Sequence, residues 1–459
     1  MSTPPGFLSP VWAGTEVADL TSDEALLAAL LEVEAAWGEV LAEAGAAPQD
    51  SAAALRGIAM DPSGAGLSAE RVAVAAAGGG NPVIPLLAEL RSTLADRDAS
   101  AAALHRGATS QDVLDSALVL ITHRTARTIL RDAAAAGDAL SELAVTHRST
   151  VCVARSLAQH ALPTSFGLRV AGWLDGIGHA AARLQSALQG LPLQWGGAVG
   201  TQAALSDLVG PERAAELTET LSSRLQLPHA FRPWHTQRQP LLEVASALAG
   251  LLAALGKTAG DVLTLQRQEI AELREPAAAG RGGSSAMPQK RNPVLSTLIR
   301  SAALSGPQQL AGLHQAAAAA ADERPDGAWH AEWPQLVELL RLTSGAAARS
   351  AELFSGLIVE PAAMQRNLGL TGAAVVGERI LTRLSGSFPG GRAGLQERMR
   401  RSAAEGASLR SLLREKLSTD QVTDAELDQV LDPADYLGRA GEFIDSAVAD
   451  YTSARNRWS

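Results

Sequence analysis

The chain has 459 residues, of which 46% are hydrophobic and 19% are charged, and its formal net charge at pH 7 is -10. This length predicts two or three domains or one elongated architecture, and the composition excludes wholesale disorder. The net negative charge argues against an extended surface for nucleic-acid phosphates. The single cysteine, Cys152, excludes an intrachain disulfide and a multi-cysteine metal site.

Features typical of export or membrane insertion are missing from the sequence. No lysine or arginine precedes Arg56, so the first residues lack the basic segment that opens a secretory signal. The longest apolar run, residues 244–256, is shorter than the roughly 20 residues that cross a bilayer. We therefore expect a soluble cytoplasmic protein with neither a membrane nor a nucleic acid as its partner.

The pattern along the chain predicts helix almost throughout. Alanine, leucine, arginine and glutamate dominate, and alternating β-branched runs are scarce. Residues 21–45 form the first clear helix, because Thr21 and Glu24 make a capping box and Gly45 is a stop signal. Its apolar stripe consists of Leu26, Leu30, Val33, Trp37 and Val40.

Four later helices are predicted to be unusually long. They cover residues 112–145, residues 240–275, a stretch that starts near Pro293, and residues 330–354. The second of them would extend roughly 50 Å at 1.5 Å per residue, which is more than a compact domain needs. Helices of this length usually pack along one another in a bundle, often between subunits.

Shorter elements flank the long helices on both sides. The first long helix is about to begin near residue 107, and shorter elements take over near Pro361. We therefore predict three mostly helical domains, namely an N-terminal domain at 1–107, a central long-helix bundle at 108–360 and a C-terminal domain at 361–459. The predicted fold class is all-α.

The most informative stretch is residues 282–293, which read Gly-Gly-Ser-Ser-Ala-Met-Pro-Gln-Lys-Arg-Asn-Pro. Its glycines let backbone amides approach a ligand, and two hydroxyls are followed by a cation and an amide side chain. Pro293 opens a helix whose N-terminal amides carry positive partial charge. Residues 277–310 contain four basic residues and no acidic one, although the whole chain is acidic. These features predict an anion-binding loop with a candidate proton carrier.

This loop closely resembles the G-S-S-x-M-P-x-K-x-N-P loop of the fumarase/aspartase superfamily, whose members cleave or form a bond β to a carboxylate. Residues 105–115 resemble a second family segment, H-x-G-x-T-S-x-D-x-x-D. Thr109 and Ser110 lie where a helix begins, so their hydroxyls and the helix amides can hold a carboxylate.

The third family segment matches only in part. Residues 155–163 read Arg-Ser-Leu-Ala-Gln-His-Ala-Leu-Pro, whereas amine-eliminating members carry R-T-H-G-Q-x-A-x-P, so their catalytic histidine falls on Leu157. A departing amine benefits from a general acid, but a departing carboxylate does not, because its conjugate acid has a pKa near 4. The missing histidine therefore favours a reaction in which a carboxylate leaves or adds.

Lactonisation is such a reaction, and the bacterial 3-carboxy-cis,cis-muconate cycloisomerases resemble this chain. They also lack the histidine and usually carry R-T-W-L-Q-H-A at this point, so the chain departs from them at Leu157 and Ala158. Three further segments are similar to theirs, at residues 233–238, 329–333 and 431–438.

The resemblance implies a fold and an assembly. Members of the superfamily have three mostly helical domains, pool their central bundles in a homotetramer, and build each active site from three chains. They need neither a metal nor a cofactor, and we expect the same of this chain. The implied reaction interconverts 3-carboxy-cis,cis-muconate and 4-carboxymuconolactone through an aci-carboxylate, in the protocatechuate branch of aromatic catabolism (the β-ketoadipate pathway).

The resemblance also implies roles for individual residues. Ser285 matches the proton-transfer residue and is the expected catalytic group, which its surroundings must activate because a free serine hydroxyl is a poor base. The expected contacts to the substrate come from His105, Thr109, Ser110, Gln159, His160, Ser284, Lys290 and Asn292. The amides of the helix at Pro293 are a further expected carboxylate site.

Three alternatives remain open. The chain could be an adenylosuccinate- or argininosuccinate-type lyase that uses another acid, with Leu157 as the main objection. It could be a non-catalytic structural relative, against which the intact Ser285, Lys290 and Asn292 argue. The third alternative is a helical ligand-binding or scaffold protein, which would give no reason for the loop at 282–293.

Overall fold

The computed structural model describes residues 7–458, and its N-terminal part is a group of helices packed around Trp37. They are α1 (Val17–Leu20), α2 (Asp23–Glu43), α3 (Gln49–Met60), α4 (Ala69–Gly79) and α5 (Val83–Ala95). Helix α2 confirms the predicted helix, with Trp37 fully buried. The capping residue differs, because the Ser22 hydroxyl accepts from the amide of Ala25 while the Thr21 hydroxyl donates to the carbonyl of Val17.

The middle of the chain forms the predicted bundle of long helices. Its elements are α6 (Ser110–Thr146), β1 (Val151–Ser156), β2 (Gln159–Ser165), α7 (Phe166–Gln189), α8 (Ala203–Val209), α9 (Pro211–Arg224), α10 (Gln239–Leu265), β3 (Leu273–Arg274), α11 (Val294–Ala319), α12 (Gly327–Ser355) and β4 (Ile358–Val359). Leucine and alanine side chains of α6, α7, α10, α11 and α12 share one continuous core. The mostly helical prediction is confirmed.

Helix α10 is shorter than predicted, and the predicted helix over residues 240–275 is wrong at its C-terminal end. The helix ends at Leu265, and Ala271 adopts a left-handed backbone with φ of 52°. Leu273 and Arg274 then pair with strand β4. This turn buries Glu272 completely against Arg155, so tertiary packing overrides the helical tendency of the sequence.

Helix α10 is also long and apolar enough, by length and composition alone, to cross a membrane, which the shorter apolar run at residues 244–256 did not indicate. More than half of its most apolar stretch is buried within the protein. It packs against α7, α11 and α12. Core helices of bundles have this character.

A short β-hairpin follows α6 and was not expected from the scarcity of strand signals. Strands β1 and β2 pair antiparallel, with Arg155 opposite His160 and Ser156 opposite Gln159. Leu157 and Ala158 form its two-residue turn with φ of 50° and 64°. Two consecutive residues of positive φ are what a type I′ hairpin turn requires.

The remaining residues form several short helices and a final helix that packs back against the central bundle. They are α13 (Pro361–Thr371), a 3-10 turn (Gly372–Val376), α14 (Gly377–Leu384), α15 (Gly391–Glu405), α16 (Leu409–Arg414), α17 (Asp424–Leu431), a 3-10 turn (Pro433–Tyr436) and α18 (Ala440–Arg455). Most of them surround a second apolar core. Helix α18 packs on α6 and α7, where the Tyr451 hydroxyl contacts Asp138 at 2.7 Å. The boundaries at 107 and 360 stay a prediction.

The direction of the long helices decides which segments meet. Asp115 near the start of α6, Arg238 before α10 and Glu332 near the start of α12 form one buried cluster, with N···O distances of 2.7 and 2.8 Å. These three helices therefore begin at the same end of the bundle, which we call the Thr109 end. Helix α11 runs the other way, because the loop before it follows the end of α10.

Candidate active site

Thr109 and Ser110 lie at the N-terminus of α6, and Asp112 fixes the backbone around them. The Asp112 carboxylate accepts hydrogen bonds from the amides of Thr109 at 3.0 Å and of Gly196 and Gly197 at 2.8 Å each. His235 Nε2 lies 2.8 Å from its Oδ1. Asp112 is fully buried. This network holds the start of the helix rigidly, as a carboxylate-binding position requires.

His105 reaches the same end of the bundle from the segment before α6. Its Nδ1 lies 2.6 Å from Oε1 of Glu34, and its backbone amide donates to Oε2 of Glu34 at 3.0 Å. The residue adopts a φ of 55°, which is uncommon outside glycine. Buried Glu34 thus fixes both the backbone and the ring of His105, and within residues 7–458 the Nε2 of this ring makes no hydrogen bond.

A buried ionic cluster lies next to Thr109, where α6, α10 and α12 begin. Arg238 lies between the carboxylates of Asp115 and Glu332, and Trp329 Nε1 donates to Asp115 Oδ1 at 2.8 Å. Burial raises the pKa of Glu332, and the Arg238 guanidinium opposes that shift. We assign the cluster to holding α6, α10 and α12 together, since removing one partner would leave a buried charge unpaired.

Gln159 and His160 lie on the β-hairpin. The Gln159 side chain is exposed, and His160 Nδ1 lies 2.8 Å from the hydroxyl of Thr371, at the end of α13. Leu157 occupies the tip of the hairpin and is 96% exposed. An apolar and almost fully exposed side chain thus stands where the motif of the amine-eliminating lyases has its histidine.

The hairpin is fixed to the body of the protein by Glu272. Arg155 donates to both carboxylate oxygens of Glu272, at 2.7 and 3.1 Å, and Asn367 donates to Oε1 at 2.8 Å. Arg169 lies 3.6 Å from Oε2. Burial tends to raise the pKa of Glu272, but its hydrogen bonds and the two guanidinium groups outweigh burial and hold that pKa below its usual range.

The loop at residues 282–293 is closed at its base. The Asn292 amide donates to the carbonyl of Gly282 at 2.8 Å, and Gly283 pairs with Arg291. Gly282 has a φ of 70°, and a Cβ on it would lie 2.6 Å from the Asn292 carbonyl oxygen, so only glycine fits here. Ser285 and Lys290 are exposed on this loop, whereas Ser284 is half-buried and its hydroxyl accepts from the Met287 amide at 3.2 Å.

The amides that open α11 are already occupied. Those of Leu295 and Ser296 donate to the two carboxylate oxygens of Glu275, at 3.0 and 2.8 Å. The prediction that the helix amides at Pro293 bind a substrate carboxylate is therefore wrong, because an internal carboxylate fills that position. Lys290 and Asn292 remain the candidate residues of this loop for binding an anion.

One chain brings only some of the candidate residues together. The hairpin follows the C-terminus of α6, and the loop at 282–293 lies near the C-terminus of α12, where Arg281 pairs with Glu352. Thr109 lies at the other end of the 37-residue α6, roughly 55 Å away at 1.5 Å per residue. The Thr109 segment and the loop therefore cannot contact one substrate within a single chain.

Comparisons with known proteins agree with the motifs and the fold. A protein-family profile described as "Lyase" matches residues 17–305. The 3-carboxy-cis,cis-muconate cycloisomerase of Pseudomonas aeruginosa is 39% identical, with 94% of this chain and 93% of that protein covered. The chain belongs to the fumarase/aspartase superfamily. This confirms the resemblance that the loop at 282–293 indicated.

Two further proteins are similar to this chain over nearly their whole length. The crystal structure of 3-carboxy-cis,cis-muconate lactonizing enzyme from Pseudomonas putida superposes with a TM-score of 0.87 at 33% identity, covering 98% of this chain and 99% of that one. The nitrosuccinate lyase of Streptomyces davaonensis is 44% identical over 452 residues, covering 96% of this chain and 94% of that enzyme. The similarity to enzymes of this superfamily therefore extends over nearly the whole chain.

The structure adds residues that the superfamily motifs did not indicate. Glu34, Glu272 and Glu275 hold candidate segments, but each lies 20 to 117 residues from its partner in the sequence, so no local pattern shows the pairing. Asp112 is a defined position of the family segment at 105–115, and its role could have been predicted, because its spacing from Thr109 is that of a helix N-cap and its N3 residue. Arg324, which contacts Thr109, lies in a polar loop, and no sequence motif indicates this contact.

Proposed function

We propose that the protein is a cofactor-independent cycloisomerase that interconverts 3-carboxy-cis,cis-muconate and 4-carboxymuconolactone. The observation that carries this proposal is Leu157, an exposed apolar residue at the position where amine-expelling members of the superfamily have a histidine. A carboxylate leaves without protonation, so its departure needs no acid at that position.

The proposed reaction forms one carbon–oxygen bond and moves one proton. A substrate carboxylate oxygen adds to the β carbon of a double bond, and negative charge develops on the α carbon and its carboxylate as an aci-carboxylate. The α carbon then takes a proton, which Ser285 delivers; in the reverse direction Ser285 removes it and the carboxylate leaves. Lys290 and Asn292 stabilise the doubly charged carboxylate, the largest electrostatic demand of the reaction.

The other candidate residues bind the substrate in this proposal. Thr109 and Ser110 hold a second carboxylate at the start of α6, where the helix dipole favours negative charge. The substrate is also contacted by His105, Gln159 and His160. The hydroxyl of Ser284, in the loop at 282–293, donates a hydrogen bond to it. Exclusion of water around Lys290 favours the alkoxide of Ser285.

The functional unit that we propose is a homotetramer with shared active sites, located in the cytoplasm. The separation of roughly 55 Å along α6 supports this, because a second copy must bring its loop to the Thr109 end of the first. Antiparallel packing of long bundles would place opposite ends of neighbouring chains side by side.

A second candidate is elimination of nitrite from nitrosuccinate. The 44% identity to the Streptomyces davaonensis nitrosuccinate lyase favours it. Nitrite, like a carboxylate, leaves as a stable anion, so Leu157 fits both reactions. An argininosuccinate- or adenylosuccinate-type elimination fits less well, since an amine leaving group would find no imidazole at residue 157.

A parallel assay of the purified protein separates these candidates. The substrates are 3-carboxy-cis,cis-muconate, followed by its diene absorbance, nitrosuccinate, followed by nitrite release, and argininosuccinate and adenylosuccinate as amine controls. We expect efficient loss of the diene signal in the presence of a chelator. Rapid turnover of nitrosuccinate with an inert muconate would replace the first candidate by the second, and turnover of an amine substrate alone would refute both.

A further inference from the structure

The β-hairpin that carries Gln159 packs between the two apolar cores of the protein. Cys152 of β1 lies in the core of the long-helix bundle, whereas its neighbour Val153 lies in the second core, among residues of the C-terminal helices. Successive side chains of a strand point to opposite faces, so each face of this strand meets a different core. The C-terminal helices therefore contribute directly to the position of the hairpin.

Two residues near the tip of the hairpin attach it to α13. Arg155 and His160 are directly opposite each other in the register, so their side chains lie on the same face. Arg155 is linked to Asn367 through Glu272, and His160 Nδ1 lies 2.8 Å from the hydroxyl oxygen of Thr371. Asn367 and Thr371 are four residues apart on α13 and therefore lie on one side of that helix. The hairpin thus has two polar attachments to α13.

The hydroxyl of Thr371 serves this contact alone. In other helices of the protein, threonine hydroxyls donate to the carbonyl four residues back, as those of Thr122 and Thr258 do. Thr371 makes no such bond, and within residues 7–458 its hydroxyl has His160 as its single hydrogen-bond partner. The side chain of Thr371 is therefore committed to the hairpin and not to its own helix.

This contact bears on what the other face of the hairpin presents. Ser156 and Gln159 form the next cross-strand pair, and both are exposed. They point away from α13, because neighbouring residues of a strand alternate between the two faces. Loss of the contact between His160 and Thr371 would remove one of the two polar attachments that fix this part of the hairpin. The direction of the Gln159 side chain therefore depends on Thr371.

We propose that Thr371 is a positioning residue for the reaction. Its hydroxyl fixes the ring of His160 through Nδ1, and this contact holds Gln159 and the Nε2 atom of His160 in the orientation in which they meet the substrate. The proposal rests on the proposed function in taking Gln159 and His160 as substrate contacts, but it is the same for both candidate substrates. Thr371 itself contacts neither the substrate nor the reacting atoms.

Steady-state kinetics of Thr371→Val, Thr371→Ser and Thr452→Val test this assignment, with 3-carboxy-cis,cis-muconate and nitrosuccinate assayed in parallel. Valine keeps the shape of threonine without its hydroxyl, and serine keeps the hydroxyl. Thr452 is the matched control, because it also lies in a C-terminal helix but its hydroxyl donates to the carbonyl of Val448 in the same helix. Thr371→Val should raise KM about 3- to 10-fold and change kcat far less, since one hydrogen bond that orients substrate contacts is lost. Thr371→Ser and Thr452→Val should stay near the wild type.

A double-mutant cycle shows whether Thr371 acts through His160. His160→Leu removes the partner of the hydroxyl, so the addition of Thr371→Val to that variant should change kcat/KM no further. Losses that multiply in the double variant would overturn the assignment, as would a KM of Thr371→Val equal to that of the wild type. A lower melting temperature of Thr371→Val with unchanged kinetics would show that the contact is only structural.

A binding readout separates this test from that of the proposed function. Tricarballylate, a saturated tricarboxylate, should raise the melting temperature of the wild type and of Thr371→Ser, and should raise that of Thr371→Val less. The proposed function fails alone if muconate is not turned over while nitrosuccinate kinetics or stabilisation by tricarballylate show the expected pattern. If neither substrate is turned over, equal stabilisation of the wild type and Thr371→Val, or no stabilisation of either, overturns the assignment of Thr371.

Discussion

Replacing Ser285 by alanine should abolish most turnover and leave the fold almost unchanged. Ser285 is exposed, and its hydroxyl has no hydrogen-bond partner within residues 7–458, so the free energy of unfolding should change by less than about 0.5 kcal/mol. Loss of a positioned proton-transfer group typically lowers the rate by roughly 10²- to 10⁴-fold, which corresponds to about 3–5 kcal/mol of barrier. Substrate affinity should stay near the wild-type value.

Ser284→Ala is the matched control for this variant. The Ser284 hydroxyl accepts from the Met287 amide at 3.2 Å, so its loss should cost about 0.5–1.5 kcal/mol of local loop stability. We expect it to reduce kcat much less than Ser285→Ala does. The measurement is kcat and KM in both directions, together with the melting temperature. Near-normal turnover of Ser285→Ala, or an equal loss in both variants, would refute the assignment of proton transfer to Ser285.

Four further predictions follow from the same geometry. Lys290→Ala should raise KM and lower kcat, because substrate and aci-carboxylate both lose a cation; an effect on neither in steady-state kinetics would contradict this. Leu157→His should fold normally, since histidine tolerates positive φ, and should bring no gain in lactonisation rate; a clear gain would refute the argument from the leaving group. Inactive Thr109→Val and Ser285→Ala chains, refolded together, should recover activity if sites are shared, whereas hybrids as inactive as their parents would argue against sharing. The folded-state pKa of Glu272 is lowered, so its stabilisation is present above about pH 4.5 and is lost as the pH falls through the folded value. The melting temperatures of wild type and Glu272→Gln should therefore converge below pH 4.5, and a constant difference would contradict this.

The helices and the family were predictable from the sequence because both depend on local signals. The long helices α6, α10, α11 and α12 follow from the helix-forming composition and the positions of the prolines, and the loop at 282–293 has too many defined positions to be an ordinary connector. Trp37 was correctly assigned to the core on the same grounds.

The errors arose where distant residues decide the local structure. Helix α10 stops at Leu265 without a glycine or proline signal, since Glu272 must turn inwards to meet Arg155 and Asn367. From the sequence, the first amides of α11 were expected to be available to a ligand. In the structure they donate to the carboxylate of Glu275, in the connection before the helix. No spacing rule connects such pairs.

Local sequence patterns also could not predict how the separate motifs are placed relative to one another. Each motif is readable alone, but only the lengths and directions of the helices show that Thr109 and the loop at 282–293 lie at opposite ends of one chain. Arg324 became visible only through its contact with Thr109.

The central claim is that the enzyme adds a carboxylate to a double bond and protonates the adjacent carbon. The most direct test is to incubate the purified protein with 3-carboxy-cis,cis-muconate in D₂O and to follow the mixture by NMR. The account predicts conversion to 4-carboxymuconolactone with one deuterium on the carbon next to the newly formed carbon–oxygen bond. Muconate that stays unchanged and unlabelled at high enzyme concentration, in a preparation that consumes nitrosuccinate or an amine substrate, would contradict it.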